Sequence, residues 1–407
     1  MSRIAHKPRL AVVSPFLDKR HGTERRVVEW VSRLAETFEI HVYSQRVQDL
    51  DLTKVVWHRI PKFPGPHILN FLWWFLANRL RREWDCRFRG LRPDLVLSPG
   101  INCLDADVVS VHVVFAEYLR RAGPDARLSQ QPVRNWPRIL HRQLYYSLVA
   151  LFERRVYTRP DLTLILIARR TADSLRRYYG CDERFPVLYM GVDHNIFNLT
   201  RRVSLREGAR MGLGISADHF TLLLIGNDWR NKGLPVLVEA MASLPGLPIH
   251  LLVIGTDDPA AFRSAVEDRG LQTRVRFLPP RQDVEFYYAA ADAYVGPSLE
   301  DTFAQPPVEA MACGLPVIVS STNGASEVIT NGSDGLILED PTDAGTLATL
   351  IRRLYEDEDF RARLGRSGAE NARQYTWERN ARDLTAILEE ILRRKARLAE
   401  HTLAQES

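Results

Sequence analysis

The sequence predicts an α/β protein made of two doubly wound, Rossmann-like parallel-sheet domains, set in tandem and facing across a cleft. Three observations lead there. Apolar runs of strand length alternate with amphipathic segments of helix length through most of the 407 residues, the pattern of a parallel sheet covered by helices. The alternation is interrupted at "HNIFNLTRRVSLREGARMGLGISADH" (194–219), where turn residues replace periodicity, and then begins again. The chain is long enough for two cores, with 45% apolar and 26% charged residues, and shows no low-complexity tract or solenoid repeat.

The first series opens with "RLAVVSPF" (9–16), a buried strand, followed by "LDKRHGTE" (17–24), a glycine-bearing loop. "RRVVEWVSRLAETF" (25–38) is an amphipathic helix with Val28, Val31, Leu34 and Ala35 on one face, and "EIHVYS" is the next strand. "PDLVLSPG" (93–100), "DADVVSVHVVF" (105–115), "PDLTLILIA" (160–168), the helix "TADSLRRYYG" (171–180) and "FPVLYMGVD" (185–193) continue the pattern. The second series runs through strand "FTLLLIG" (220–226), helix "LPVLVEAMASL" (234–244), strand "IHLLVIG" (249–255), helix "PAAFRSAVEDRG" (259–270) and strand "RVRFLP" (274–279). "VEFYYAAADAYVGPSLED" (284–301) adds a helix and a strand, and "GLPVIVSS" (314–321) and "SDGLILED" (333–340) complete the sheet before a largely helical remainder. The expected division is therefore an N-terminal domain over 1–198 and a C-terminal domain over 199–376.

Composition narrows the function classes. Four cysteines lie far apart with no C-x-x-C pair, which suggests a reducing compartment, and the cytoplasm is the expected location. "MSRIAHKPRLAVVSPF" lacks the apolar core of a signal peptide, and the aromatic-rich stretch "ILNFLWWFLA" (68–77) is about half of the roughly 20 residues a membrane span needs. Charge is uneven: residues 1–200 hold 32 Lys and Arg against 20 Asp and Glu, a net of +12, and the rest hold 23 against 30, a net of −7, giving the overall +5. A basic first half attracts anions. Its arginines concentrate beside aromatic and leucine residues in "NRLRREWDCRFRGLR" (78–92), "YLRRAG" (118–123) and "RNWPRILHRQLYYSLVALFERR" (134–155), which fits either an interfacial helix on anionic lipid or a solvated face. No zinc-finger spacing or RNA-recognition motif accompanies them, so nucleic acid is not the expected partner.

The densest chemical signal is "EDTFAQPPVEAMACG" (300–314). Pro306 and Pro307 suit the first turn of a helix, Gly314 suits its left-handed end, and Glu309 falls in that first turn with Asp301 in the loop before it. A helix start favours an anion, whereas these carboxylates would serve neutral diols of the same ligand. A nucleotide sugar has a diol, a diphosphate and a second sugar. In isolation, Glu309 also reads as an acid favoured by the helix dipole.

Several ordered blocks together resemble the retaining glycosyltransferases of family 4, which have the two-domain GT-B fold. They are "LLLIGNDWRNKGLPVLVEAMASLP", "DAYVGPSLEDTFAQPPVEAMACGLPVIVSS", "GASEVITNGSDGLIL" and "YTWERNARDL". The resemblance covers most of the chain. It implies that Glu309 holds the nucleotide ribose and that Asp301 contacts the transferred sugar, although the family more often has Glu at that position and Glu300 lies one residue earlier. Loop amides around Phe303, Ala304 and Gln305 would face the diphosphate, and Arg230 and Lys232 of "NDWRNKG" would neutralise the leaving nucleotide. Fixed cations stabilise such a leaving group most in the transition state. Gly22 matches the family's glycine turn, here single and preceded by His21. His112 matches a histidine beside the sugar, where a lone His on an apolar strand otherwise reads as core. "MGVDHNIF" (190–197) resembles the block leading out of the first domain, and a terminal helix at about 377–400 is expected to return to it.

The resemblance implies a glycosyltransferase that moves a sugar from a nucleotide-sugar donor to a hydroxyl of a glycan or lipid-linked acceptor docked on the N-terminal domain. It implies retention of configuration and a place in cell-surface polysaccharide or glycolipid synthesis, at or near the inner face of the cytoplasmic membrane. No cofactor or metal is expected: Asp105 and Asp107 form a D-x-D triplet, but it precedes a buried strand, and Asp257 and Asp258 read as loop and cap. A GT-B epimerase or phosphorylase, and a noncatalytic interaction protein that keeps the fold, are the alternatives.

Overall fold

The computed structural model describes residues 6–19, 22–122, 136–181 and 185–406. His21, and parts of the basic segments 118–123 and 134–155, lie outside them. The chain divides into two compact units, Met1–Tyr189 with Trp377–Ser407, and Met190–Thr376.

In the first unit the elements are β1 (Arg9–Val13), β2 (Phe16–Leu17), α1 (Gly22–Leu34), β3 (Glu39–Ser44), β4 (Arg46–Val47) and β5 (Val55–Arg59). They are followed by α2 (His67–Arg89), β6 (Leu95–Pro99), β7 (Val108–Val111), α3 (Phe115–Ala122), α4 (Trp136–Tyr157), β8 (Thr163–Leu166) and α5 (Thr171–Tyr179). Six strands form a parallel sheet in the order β5-β3-β1-β6-β7-β8. The inner strands β1, β6 and β7 are buried on both faces and mostly apolar, whereas the edge strand β5 leaves Val56 and Arg59 exposed. Leu10 and Val12 face a core layer that includes Trp30 and Leu34 of α1, whereas Ala11 and Val13 face a layer that includes Trp74 of α2 and Val156 of α4.

The second unit contains α6 (Leu199–Gly212), β9 (Phe220–Ile225), α7 (Leu234–Ala242), β10 (Ile249–Ile254), α8 (Ala260–Glu267), β11 (Val275–Leu278) and α9 (Glu285–Ala290). It continues with β12 (Ala293–Gly296), α10 (Pro306–Ala312), β13 (Val317–Ser320), β14 (Leu336–Leu338), α11 (Ala344–Glu356) and α12 (Glu358–Ala372). Its sheet is again all parallel, β11-β10-β9-β12-β13-β14. Both sheets thus follow the Rossmann order 3-2-1-4-5-6, whose switch points fall between β1 and β6 and between β9 and β12. Ligands of open α/β sheets bind outside the carboxyl ends of such strands.

Helix α13 (Trp377–Glu406) belongs to the first unit, burying Leu384, Leu388 and Ile391 in the layer that contains Trp30. The buried Trp30 indole donates to Asn380 Oδ1, and Asn380 donates to the Tyr189 carbonyl.

Several details differ from the sequence reading. The units divide between Tyr189 and Met190 rather than at 198/199, because Val192 pairs with Thr376 and Gln305 Nε2 donates to the Gly191 carbonyl at 3.1 Å. The segment 185–193 forms two isolated bridges, Leu166 to Val187 and Val192 to Thr376, instead of a strand. The strand expected to reach Phe115 stops at Val111, since the Phe115 N–H turns to the carboxylate of Glu153 and starts α3.

Candidate functional site

At the switch point of the second sheet, the loops after β9 and β12 are locked together by backbone. Gly233 sits at φ 79°, and a Cβ there would lie 2.0 Å from the Pro297 carbonyl oxygen, so only glycine fits. Leu299 N–H donates to the Asn231 carbonyl and Asn231 Nδ2 to the Glu300 carbonyl, both at 2.7 Å. A third loop buttresses the first. Asp257 accepts the N–H groups of Asp228 (3.0 Å) and Trp229 (2.7 Å), while Asn227 Oδ1 accepts from both Thr256 N–H and its hydroxyl. Asp257 is thus a loop fastener, and Asp258 caps Ala260 N–H at 2.9 Å.

On this frame Lys232 Nζ is paired with Asp301 Oδ2, each side chain 18% exposed. The carboxylate that meets the lysine is therefore Asp301, while Glu300 offers its backbone carbonyl to Asn231. Arg230 extends into solvent from the same loop.

The Asp301 strand edge is pinned by Asn323: Asp301 N–H donates to the Thr322 carbonyl and Gly324 N–H to the Asp301 carbonyl. Asn323 Oδ1 accepts from Ala304 N–H (3.2 Å) and Ala325 N–H (3.0 Å). The Ala304 amide is thereby engaged within the chain, which differs from its expected role as an open donor to a diphosphate. Phe303, Ala304 and Gln305 are all buried, and the Gln305 side chain turns to Gly191.

Glu309 occupies the first turn of α10 as the proline pair predicted, and is buried. The Tyr288 hydroxyl donates to Glu309 Oε2 at 2.8 Å, and burial, followed by the Glu309 charge, raises the Tyr288 pKa well above its ordinary value. Tyr294 on β12 is raised as well, first by burial and then by both Asp301 and Glu309. The two carboxylates thus act on one buried hydroxyl at the head of this sheet.

The first unit holds the remaining candidates. Gly22 opens α1 with ordinary backbone, and a Cβ there would meet nothing within 4 Å, so the space above it is open. His112 follows β7 with 9% exposure, its Nδ1 3.4 Å from the Thr23 hydroxyl and its Nε2 without a partner among the described residues. Burial, then the nearby Arg26, lowers its pKa to about 3, so the imidazole is neutral. Arg26 is itself fully buried, lowered to about 9 by burial, stacked 4.2 Å over Trp30, and donates to the Leu188 carbonyl at 2.8 Å. His112 and Thr23 line a cavity of about 320 Å³ that also reaches Gly100, Trp74 and Glu153.

Glu153 and Tyr288 are site residues that the sequence reading missed. A signal existed for Glu153, an acid placed between Phe152 and Val156 on an apolar helix face.

The D-x-D acids hold the fold. Asp105 takes both guanidinium nitrogens of Arg82 at 2.7 Å, and Asp107 accepts from Val96 N–H (2.8 Å) and Lys395 (2.9 Å). Among the described residues no group of three or more His, Cys, Asp or Glu is placed to hold a metal.

Two α/β units, each with a Rossmann-ordered parallel sheet, make up the GT-B class of architecture. Residues 206–371 match the model of glycosyl transferases group 1, and residues 20–196 match that of glycosyltransferase family 4. The chain belongs to this family of group 1, family 4 glycosyltransferases.

It is 30% identical over 235 residues to lipopolysaccharide glucosyltransferase WaaG of Escherichia coli (strain K12), covering 56% of this chain and 62% of that protein. It is 29% identical over 248 residues to D-inositol 3-phosphate glycosyltransferase of Corynebacterium urealyticum, covering 58% of each. These matches span less than two thirds of the relatives' lengths. The crystal structure of WaaG, a glycosyltransferase involved in lipopolysaccharide biosynthesis, superposes with a TM-score of 0.71 at 22% identity, covering 90% of this chain and 94% of the other.

Proposed function

We propose that the protein is a retaining hexosyltransferase that moves a sugar from a nucleotide-sugar donor to a hydroxyl of a glycan or lipid-linked acceptor, in cell-surface polysaccharide or glycolipid synthesis. The observation that carries this reading is the Lys232–Asp301 pair at the switch point of the second sheet, with Arg230 on the same loop and Glu309 opening α10. Cations and acids of this kind suit the two halves of one ligand.

A diphosphate draws Lys232 and the exposed Arg230 toward itself. Asp301, released from Lys232, then accepts from a hydroxyl of the transferred sugar. Glu309, oriented by Tyr288, accepts from the ribose diol. As the anomeric carbon–oxygen bond to the diphosphate breaks, charge grows on the leaving phosphate, where fixed cations stabilise it most. The acceptor oxygen bonds to the same face of the anomeric carbon, and its proton passes to a phosphate oxygen. No protein nucleophile takes part. His112, kept neutral by burial, serves as a hydrogen-bonding group toward the sugar rather than as a cation.

Membrane attachment is part of the reading. Helix α2 exposes Leu69, Leu72, Leu76 and Leu80, and α4 exposes Leu140, Leu144 and Leu151. The two helices pack through Phe71, Phe75, Tyr145 and Phe152, so the leucines are left over from the core. Exposed Arg79, Arg87, Arg142, Arg154 and Arg155 accompany them, a combination that suits an anionic lipid surface at the cytoplasmic face. Among the described residues no helix is long and apolar enough to cross a membrane. Retention of the protein on phosphatidylglycerol vesicles at low salt, lost in Leu76→Glu with Leu144→Glu, is expected; equal recovery without vesicles would remove the membrane part alone.

The experiment for the chemistry offers labelled UDP-, GDP- and ADP-sugars with lipopolysaccharide core and inositol 3-phosphate as acceptors, and reads the product anomer by NMR. Retained configuration is expected. An inverted product contradicts the mechanism, an isomerised sugar points to an epimerase, and no turnover points to an interaction protein.

A further inference from the structure

The carboxyl group of Glu153 has no part in the donor chemistry, yet it is completely buried on α4 and forms one wall of the cavity that holds His112. Its two oxygens receive three donors. Phe115 N–H reaches both at 3.0 and 2.9 Å, Ala116 N–H reaches Oε2 at 3.3 Å, and the Tyr179 hydroxyl reaches Oε2 at 2.6 Å. A side chain 38 positions along the chain thus caps the first turn of α3, whose own preceding residues, Val113 and Val114, offer no capping oxygen. The span between β7 and that cap is His112–Val113–Val114. The histidine loop is therefore held at one end by the sheet and at the other by Glu153.

We propose that Glu153 is a positioning residue for the transfer: its carboxylate clamps the loop that carries His112 and so fixes the unpartnered Nε2, which hydrogen-bonds the sugar as the acceptor hydroxyl is presented to it. This rests on the reading of the chain as a transferase whose acceptor docks on the first unit.

The clamp depends on the carboxyl being ionised. Tyr179 can reverse its bond to a protonated carboxyl, but the Phe115 and Ala116 N–H groups can only donate, so a proton on the carboxyl opposes or weakens their hold. Burial raises the Glu153 carboxyl to about 7, against lowering by Tyr179 and the two amides, which sets the loosening close to neutral pH. Among the described residues no cation is paired with it. α3 brings Glu117, which is paired with Arg120 and Arg177; α5 brings Tyr179; α4 brings Tyr157 and Arg154; the cavity wall brings His67 and His112; and Cys181 donates to the Tyr157 carbonyl. His112 is neutral throughout this range, so it cannot itself supply an inflection near neutrality.

The test is carbethoxylation of His112 by diethylpyrocarbonate, followed by peptide mass spectrometry from about pH 5.5 to about pH 8.5. The reagent attacks neutral imidazole, and a histidine neutral across the range reports access rather than its own titration. Slow labelling at high pH that rises several-fold as pH falls through neutrality is expected in the wild type. Glu153→Gln should label fast at every pH, and with an acceptor that turns over it should raise KM about tenfold, the scale of a mispositioned contact, while the nucleotide thermal shift is unchanged. Tyr179→Phe, which removes one stabilising donor from the carboxylate, should move the inflection to higher pH, and it decides the matter if Glu153→Gln fails to fold. Labelling that is flat with pH in the wild type, or the same profile in all three proteins, overturns the clamp while leaving the transferase reading intact. Loss of nucleotide binding in the wild type instead removes the transferase reading, with labelling still deciding the loop.

Discussion

Replacing Gly233 with alanine tests whether the donor loops are locked as the structure draws them. At φ 79° a Cβ costs about 1–2 kcal/mol through its own backbone. At 2.0 Å from the Pro297 carbonyl it must also push that strand end away, which adds about 1–3 kcal/mol. The obstacle is backbone, so no side-chain rotation relieves it. A loss of about 3 kcal/mol in a unit of this size lowers the melting temperature by roughly 6–12 °C. Gly332→Ala is the control: its φ is 78°, but a Cβ there meets nothing within 4 Å. It should fall by only about 2–8 °C, the backbone part alone, and in each case by less than Gly233→Ala. Scanning calorimetry on both variants, with and without saturating nucleotide, is the assay. Gly233→Ala should also lose the nucleotide shift, because the displaced loop carries Arg230 and Lys232. Equal melting of the two variants, with the nucleotide shift kept, would refute the argument that close backbone approach holds these loops.

Three further outcomes are expected. Arg230→Ala should change stability by no more than about 0.5 kcal/mol, since the side chain is exposed, while Lys232→Ala lowers kcat/KM by about a hundredfold through lost stabilisation of the leaving group; steady-state kinetics and denaturant titration read both. His112 is held near 3 in the folded chain and about 6.5 when unfolded, so its contribution is full above pH 6.5 and lost progressively as pH falls toward 3; His112→Gln should flatten that acid limb in a urea-titration series. Asn380→Ala should cost about 1–3 kcal/mol by removing the acceptor of the buried Trp30 N–H, and hydrogen exchange should show α13 opening first.

The parallel sheets were legible because strands buried on both faces must be apolar throughout, as in "FTLLLI" and "IHLLVI". Pro306, Pro307 and Gly314 likewise marked the ends of α10 by backbone constraints that are local. The unit boundary was not legible, because a single bridge at Val192 and the reach of Gln305 to Gly191 join residues far apart in sequence. The sequence placed Lys232 and Asp301 in separate blocks, and only the tertiary fold shows them paired. It also left the Ala304 amide open, where long-range packing supplies Asn323 as its partner. Glu153 showed in sequence only as an acid on an apolar helix face; its donors come from α3 and α5, which the fold alone brings to it.

The most direct measurement of the central claim is a thermal-shift panel of UDP, GDP, ADP and their sugar conjugates on the wild type and on Glu309→Ala. A ligand at about a hundred times its dissociation constant adds roughly 2.7 kcal/mol. One nucleotide series should raise the wild-type melting temperature and lose that effect in the variant, as expected if Glu309 holds the ribose. Absence of any shift in the wild type, or an equal shift in Glu309→Ala, would contradict the account.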